Sequence, residues 1–346
     1  MKAESFLVSV IMPVYNASSY LVEAINSVLN QTYPNFEFII VNDGSSDDSE
    51  GIILSCNDER IRYEKFSENR GIVAALNQAI DLSNGRYIFR MDSDDICFPD
   101  RLERQLRFLE NNPDIDLIGS KAVCFSESPS KPLSVIGEVR NSHSVIKLML
   151  LLCSPFVHPT IVFRKKLKDG SCLQYAEGFN YGDDYELFTR NAEVLRYGCL
   201  NEVVLFYRIH HSANRLSGET FRKRYKESTL LIREKYFSQN QLNLPDKLLR
   251  QYEDLFYSDA SIDRYSCLKT LLFYRRIGDY YFLQELIESD KTFLFEFTRH
   301  YFYNSFYQYS RIGLYSFWAY VHFGRKYFAM TNKQTFKFLI KCLLQR

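Results

Sequence analysis

No apolar run of roughly eighteen residues occurs anywhere in this 346-residue chain, so no membrane-spanning helix is expected. The opening Met1 to Phe6 carries Lys2 and Glu4 and lacks the apolar core of a secretory signal, which places the expected location in the cytoplasm. Closely spaced cysteines are also missing. The eight thiols, at 56, 97, 124, 153, 172, 199, 267 and 342, form no CxxC pair. Thiolate zinc motifs and a disulfide framework are therefore excluded, and small core residues remain as the simple account. Neither GxGxxG nor GxxxxGK occurs, which removes the main support for a dinucleotide oxidoreductase or a P-loop nucleotidase.

What is present suits a globular chain: 46% of residues are hydrophobic and 25% charged. The net charge of +1 conceals an asymmetry. Residues 1–214 hold 21 basic and 29 acidic side chains, whereas 215–346 hold 22 basic and 13 acidic. Aromatics shift the same way, from 23 in the first stretch to 31 in the second. Two regions with different tasks are expected, 1–214 and 215–346.

Phe6 to Val14 is a β-branched apolar run of the kind buried on both faces of a sheet. Leu21, Ile25, Val28 and Leu29 follow at helical spacing, with Ser18 or Ser19 placed to cap, and Pro34 stops the helix. Further strands are expected over Phe36 to Val41, Ile61 to Lys65 and Tyr87 to Met91. Helices are expected through Ile72, Leu76 and Ile80 and through Leu102, Leu106 and Leu109. This alternation predicts an α/β fold with a mostly parallel sheet, whose ligands bind at the carboxyl ends of strands. Tyr15-Asn16, Asp43-Gly44-Ser45 and Asp92-Ser93-Asp94-Asp95 all fall at such ends.

Asp92, Asp94 and Asp95 place three carboxylates in four residues. Like charges this close raise one another's pKa and favour a cation; with oxygen donors alone, a hard ion such as Mg2+ or Mn2+ fits. The plain alternative is an acidic loop capping the helix near Pro99 through Asp95 and Asp100.

Val10 to Asn16, Val41 to Asp47, Glu68-Asn69-Arg70-Gly71 before Ala74-Ala75-Leu76-Asn77, and Met91 to Asp95 together resemble glycosyltransferase family 2 in order and spacing. The resemblance covers about residues 6–211 and continues through Phe156 to Thr160, Gly182 to Leu187 and Tyr207 to His210. It implies the GT-A fold and an inverting, metal-dependent transferase using Mn2+ or Mg2+. It also implies roles. Tyr15 would lie against a nucleobase, with Pro13 offering backbone atoms and Asn16 in the same donor stretch. Asp43 would accept the imide N–H of uracil, favouring UDP as the carrier. Asp92 would meet the ribose or the metal's hydration shell, Asp94 would bind the metal, and His210 would approach metal or diphosphate.

Asp184 is implied as the base that takes the acceptor's proton, after Asp183 where relatives usually have glutamate. Leu76 replaces a frequent arginine, so phosphate charge falls to Arg70 or Arg208. Each residue keeps an ordinary alternative: a strand-end aromatic for Tyr15, a turn aspartate for Asp43, surface charge for Arg70 and Arg208, a core or surface histidine for His210, helix caps for Asp183 and Asp184. A sugar-nucleotide pyrophosphorylase would need a glycine- and arginine-rich N-terminal phosphate loop, which is missing. A non-catalytic scaffold would have no reason to keep both Asp94 and Asp184.

Beyond Ser217 the resemblance fades and the pattern turns helical, with Thr229, Ile232 and Tyr236 on one helix and Leu242 to Pro245 breaking it. Residues 291–346 hold nine basic side chains against Glu296, interleaved with Trp318 and many Tyr and Phe. Two readings stand: an aromatic helical core, or a surface for anionic lipid at the inner face of the cell membrane. The second suits a lipid-linked glycan acceptor in bacterial surface polysaccharide synthesis, to which the resemblance also points. Nucleic acid is not expected, because no binding motif accompanies the basic excess.

Overall fold

The computed structural model describes residues 7–137, 139–210, 219–242, 244–256, 263–307, 309, 314–321 and 332–344. The chain forms two compact units, Met1–Ile146 with Ser154–Arg215, and Lys147–Cys153 with Leu216–Arg346.

The first unit carries one mixed sheet. β1 (Val8–Val14), β2 (Phe36–Asn42), β3 (Ile61–Lys65) and β4 (Tyr87–Arg90) run parallel in the order β3-β2-β1-β4. Every residue of β1 is buried, as its unbroken apolar run demands. The connecting helices α1 (Leu21–Leu29), α2 (Ser49–Ser55) and α3 (Ile72–Leu82) follow in alternation. Beyond β4 the sheet changes character. Its path continues through β8 (Val162–Arg164), β6 (Leu117–Phe125), β9 (Tyr197–Arg208) and β5 (Ile96–Cys97), with β7 (Ser134–Ile136) on β6. Here β8 lies antiparallel to β4 and β6, while β6 and β9 are parallel. The parallel pairing expected for most of the sheet thus holds across its first four strands and again between β6 and β9. The helices α4 (Arg101–Asn111), α5 (His143–Met149) and α6 (Asp183–Arg190) complete the unit's elements, α5 running on into the Lys147–Cys153 segment.

Neither Ser18 nor Ser19 caps α1. The residue before the helix is Tyr20, without a side-chain cap bond. The Ala17 carbonyl instead accepts the N–H groups of Tyr20 and Leu21, forming a turn that leads into the helix.

The second unit contains α7 (Glu219–Gln239), α8 (Asp246–Phe256), α9 (Arg264–Leu283), α10 (Glu288–Tyr307), α11 (Leu314–Ala319) and α12 (Asn332–Leu344). No helix among the described residues is long and apolar enough to cross a membrane. Many of the tail aromatics are core. Phe302, Phe306, Tyr309, Tyr320 and Phe338 are buried, and the Phe306 ring lies 5.1 to 6.4 Å from the other four ring centroids. Trp318 is half exposed. Arg311, Arg325 and Lys326 lie outside the described residues.

Lys147–Cys153 belongs with these helices, unlike a simple cut after residue 214. Its residues Leu148 to Leu152 are all buried. The Tyr236 hydroxyl donates to the Lys147 carbonyl at 2.8 Å, and Arg233 Nη2 donates to the Leu152 carbonyl at 2.8 Å. Arg233 is itself paired with Glu253, both nearly inaccessible, and Thr229 donates to the same carboxylate.

Candidate active site

The hydrogen-bond ladder explains how a proline ends a central strand. Ile11 accepts the Met91 N–H (3.0 Å) and so faces β4, whereas Val14 accepts the Asp43 N–H (2.8 Å) and faces β2. By alternation Pro13 also faces β4, which ends at Arg90. The N–H that proline lacks therefore removes no ladder bond. Tyr15 follows, 50% exposed. Asn16 turns the chain with φ 49°. Its N–H donates to Ser45 Oγ (3.0 Å), and its Oδ1 accepts the Ser46 N–H (2.8 Å). Ser18 N–H donates to Asp47 Oδ2 (3.0 Å). Burial opposes the charge on Asp47, but the bonds from Ser49 and Ser18 outweigh it and hold the pKa at about 2.

Asp43 is buried and clamps the loop before α3. Its two oxygens accept the N–H groups of Arg70 (2.7 Å) and Gly71 (3.0 Å). Burial raises its pKa against the pull of those bonds. The clamp needs glycine at 44, with φ 68°, because a Cβ there would come within 2.5 Å of the Glu68 carbonyl carbon. The Arg70 side chain is exposed, its guanidinium 4.5 Å from the Phe66 ring centroid. Leu76, where relatives often carry arginine, is fully buried.

A buried arginine organises the second group. Arg90 Nη1 donates to Asp92 Oδ2 at 2.6 Å, and the Arg90 side chain is 2% exposed. Burial opposes its charge, yet Asp92, Tyr175 and Asp183 together hold its pKa above the usual value. Arg101 Nη2 secures the Arg90 carbonyl from the start of α4. Asp92 is raised by burial and by Asp94, against the attraction of Arg90. Asp95 does not cap α4. Its Oδ1 accepts the Arg208 N–H (2.8 Å), while its buried Oδ2 has no hydrogen-bond partner. Burial, then Asp92 and Asp94, push its pKa well up. Asp100 precedes α4 without a cap bond and pairs with Arg104.

His210 Nε2 lies 2.7 Å from Asp94 Oδ2, and its ring centroid is 5.1 Å from that of Tyr20. Arg208 is buried and already matched by Glu23 at 2.6 Å, with Nε donating to the Asp94 carbonyl.

Asp183 and Asp184 open α6. The residue before the helix is Gly182, in the left-handed region (φ 71°), and no side chain caps it. The two aspartates are thus the first residues of the helix, where its dipole favours carboxylates. The Ser154 hydroxyl donates to Asp184 Oδ2 at 2.7 Å. Asp183 Oδ2 is buried without a hydrogen-bond partner, 3.7 Å from His158 Nδ1. Burial and the Asp184 charge push Asp183 up to about 7. Burial also raises Asp184, against the Ser154 bond. His158 lies well below its usual range through burial and Arg90, and its Nε2 is 2.7 Å from the Tyr175 hydroxyl. Asn77 exchanges two bonds with the Tyr175 backbone, at 2.8 and 3.0 Å.

Arg90 interacts electrostatically with Asp92, Asp183 and Asp184, which brings two of the motifs read from the sequence to one place. Tyr15, Asn16 and Asp43 follow the ends of β1 and β2, and Arg70 lies in the loop clamped to Asp43. Sequence reasoning does not single out Arg90, Tyr175 or Ser154. A lone arginine within the run Tyr87 to Met91 is the signal for the first.

Residues 9–169 match the family described as Glycosyl transferase family 2. An uncharacterised glycosyltransferase of Methanocaldococcus jannaschii is 35% identical over 229 residues, 65% of this chain and 78% of that protein. The chain belongs to glycosyltransferase family 2. An uncharacterised glycosyltransferase of Haemophilus influenzae is 33% identical over 218 residues, 59% of this chain and 66% of its own length. The fold of this family member is that of GT-A transferases. It superimposes on the crystal structure of S. aureus TarS 1–349 in complex with UDP-GlcNAc with a TM-score of 0.54, at 17% identity, over 96% of this chain and 89% of that one.

The residues at the end of β4 fit the divalent cation that the family implies. Asp92, Asp94 and Asp95 offer carboxylate oxygens within 4.8 Å of one another. One buried oxygen, Asp95 Oδ2, has no hydrogen-bond partner. An all-oxygen, multiply anionic donor set suits a hard ion.

Proposed function

We propose that this glycosyltransferase moves a sugar from a nucleotide-sugar donor, UDP-linked, onto an acceptor hydroxyl with inversion. The observation that carries the reading is the meeting of the Asp92 motif with the Asp183-Asp184 pair around Arg90. Donor-side carboxylates and a candidate base must share one reaction centre in any direct displacement, and this arrangement meets that need.

Asp184 is the base. A base must be ionised at working pH and must face the proton it removes. Asp183, at about 7, is protonated in much of a neutral population. Asp184 receives a hydroxyl bond that favours its carboxylate. As the acceptor oxygen attacks the anomeric carbon, Asp184 takes its proton, and the nucleotide diphosphate leaves from the opposite face. Asp92, Asp94 and Asp95, with His210 beside them, would hold Mn2+ or Mg2+, which neutralises charge on the departing diphosphate, so no second carboxyl is needed as general acid. Tyr15 offers an exposed ring for the nucleobase. Asp43 retains lone pairs beyond its two backbone bonds for an imide N–H, which supports uracil. The acceptor is a glycan or lipid-linked glycan of the bacterial surface, and the basic tail would hold the enzyme at the inner face of the membrane.

Incubation with UDP-, GDP- and dTDP-sugars in Mn2+ tests the reading. Release of UDP alone is expected, abolished by EDTA and by Asp94→Ala, with the melting temperature of the variant retained. Full turnover in EDTA overturns the metal requirement, and release of GDP alone overturns the donor class.

A further inference from the structure

We propose that Ser154 is the positioning residue for the general base, aiming the Asp184 carboxylate and keeping it ionised. This deepens the reading above and rests on Asp184 being the base. Ser154 lies in none of the motifs that mark the family in this sequence, and it is thirty residues away from its partner. Its hydroxyl lies 2.7 Å from Asp184 Oδ2. An O–H aimed at one carboxylate oxygen does two things at once. It fixes the rotation of the carboxyl group, and it stabilises the charged form over the protonated one.

The surroundings make that second effect matter. Besides Ser154, Asp184 is faced by Asp183 from its own helix, Arg90 from β4 and the Tyr175 hydroxyl from the loop before α6. Burial works against ionisation of Asp184; the Ser154 hydroxyl, the backbone N–H groups of Tyr185 and Asp184, and Arg90 work for it. Arg90 is shared with Asp92 and Asp183, so among the side chains Ser154 is the donor dedicated to the base.

The test needs no knowledge of the donor. In full-length protein with 13C-labelled aspartate carboxyls, the Asp184 signal is assigned by its loss in Asp184→Asn and separated from its neighbour with Asp183→Asn. Removal of the hydroxyl in Ser154→Ala is expected to raise the Asp184 midpoint by roughly one pH unit, the usual worth of a bond to a charged group. Ser154→Thr, which keeps a hydroxyl, restores the wild-type midpoint. In turnover the acid limb of kcat/KM moves up with the same midpoint, while KM for the donor stays unchanged. An unmoved Asp184 midpoint in Ser154→Ala, with thermal unfolding like wild type, overturns the proposal. The two readings fail separately: wild-type turnover by Asp184→Asn removes Asp184 as the base, whatever Ser154 does to its titration.

Discussion

Two side chains decide most of what happens at the centre of this molecule, and they act by opposite means. Asp184, the proposed base, is partly exposed and accepts a bond from the Ser154 hydroxyl. Replacing it with asparagine keeps the shape and removes the proton acceptor. Transfer is expected to fall by about 10²–10⁴-fold while nucleotide affinity, measured by calorimetry with UDP, stays near normal. Arg90 is almost wholly enclosed, and its charge is what allows three aspartates to sit around it. Arg90→Met leaves Asp92 without its partner. A loss of about 3 kcal/mol is expected, at the lower end for a broken buried pair because Asp92 is partly exposed. Urea unfolding measures it, and adding Asp92→Asn should return part of the loss. The sequence displays Asp184 plainly, as one of two adjacent acids before an apolar helix. It hides Arg90, because an arginine in a strand gives no hint of which distant acids will close on it.

At the scale of elements, α6 begins with two carboxylates and no capping side chain before them, and one of the two pays in stability for its position. The Asp183 pKa is raised to about 7, against 3.8 in an unfolded chain. The folded state therefore holds a proton that the unfolded state has released between those values. Its contribution to stability is fully present below about pH 4 and is lost as pH rises towards 7. Asp183→Asn cannot ionise. Its melting temperature is expected to match wild type near pH 4 and to exceed it by several degrees at pH 8; equal melting at both pH values would show that burial does not strain this group. The first strands and helices were legible because each repeats one clean period: full burial in β1, an apolar stripe in α3. The later sheet was not. β5 has two residues and β8 three, too short to show any alternation, and their antiparallel places depend on partners far along the chain. The polar ends of β1, β2 and β4 were visible as motifs, whereas the Asn77 bonds that tie Tyr175 to α3 depend on contacts about a hundred residues apart.

For the molecule as a whole, the charge asymmetry between the two regions is the feature that composition alone exposes, and burial shows how much of it is available. Phe302, Phe306, Tyr309, Tyr320 and Phe338 are spent on a helical core, so a lipid surface would have to be met by what lies outside, such as Trp318 and Lys337. Co-sedimentation with anionic vesicles checks this. Binding is expected at low salt and should fall sharply at high salt, since each near-surface basic residue contributes about 1 kcal/mol and is screened within roughly 8 Å at physiological ionic strength. A chain that ignores such vesicles even at low salt has an aromatic core and nothing more in this region.

The segment Lys147–Cys153 carries a consequence for anyone who would exchange parts between relatives. A hybrid spliced at residue 215 would leave five apolar residues, Leu148 to Leu152, facing helices they did not evolve with, and would strip the Lys147 and Leu152 carbonyls of Tyr236 and Arg233. The transplantable piece is therefore discontinuous: a graft of the C-terminal helices has to bring this seven-residue insert with it, and its boundary runs one peptide bond short of Ser154.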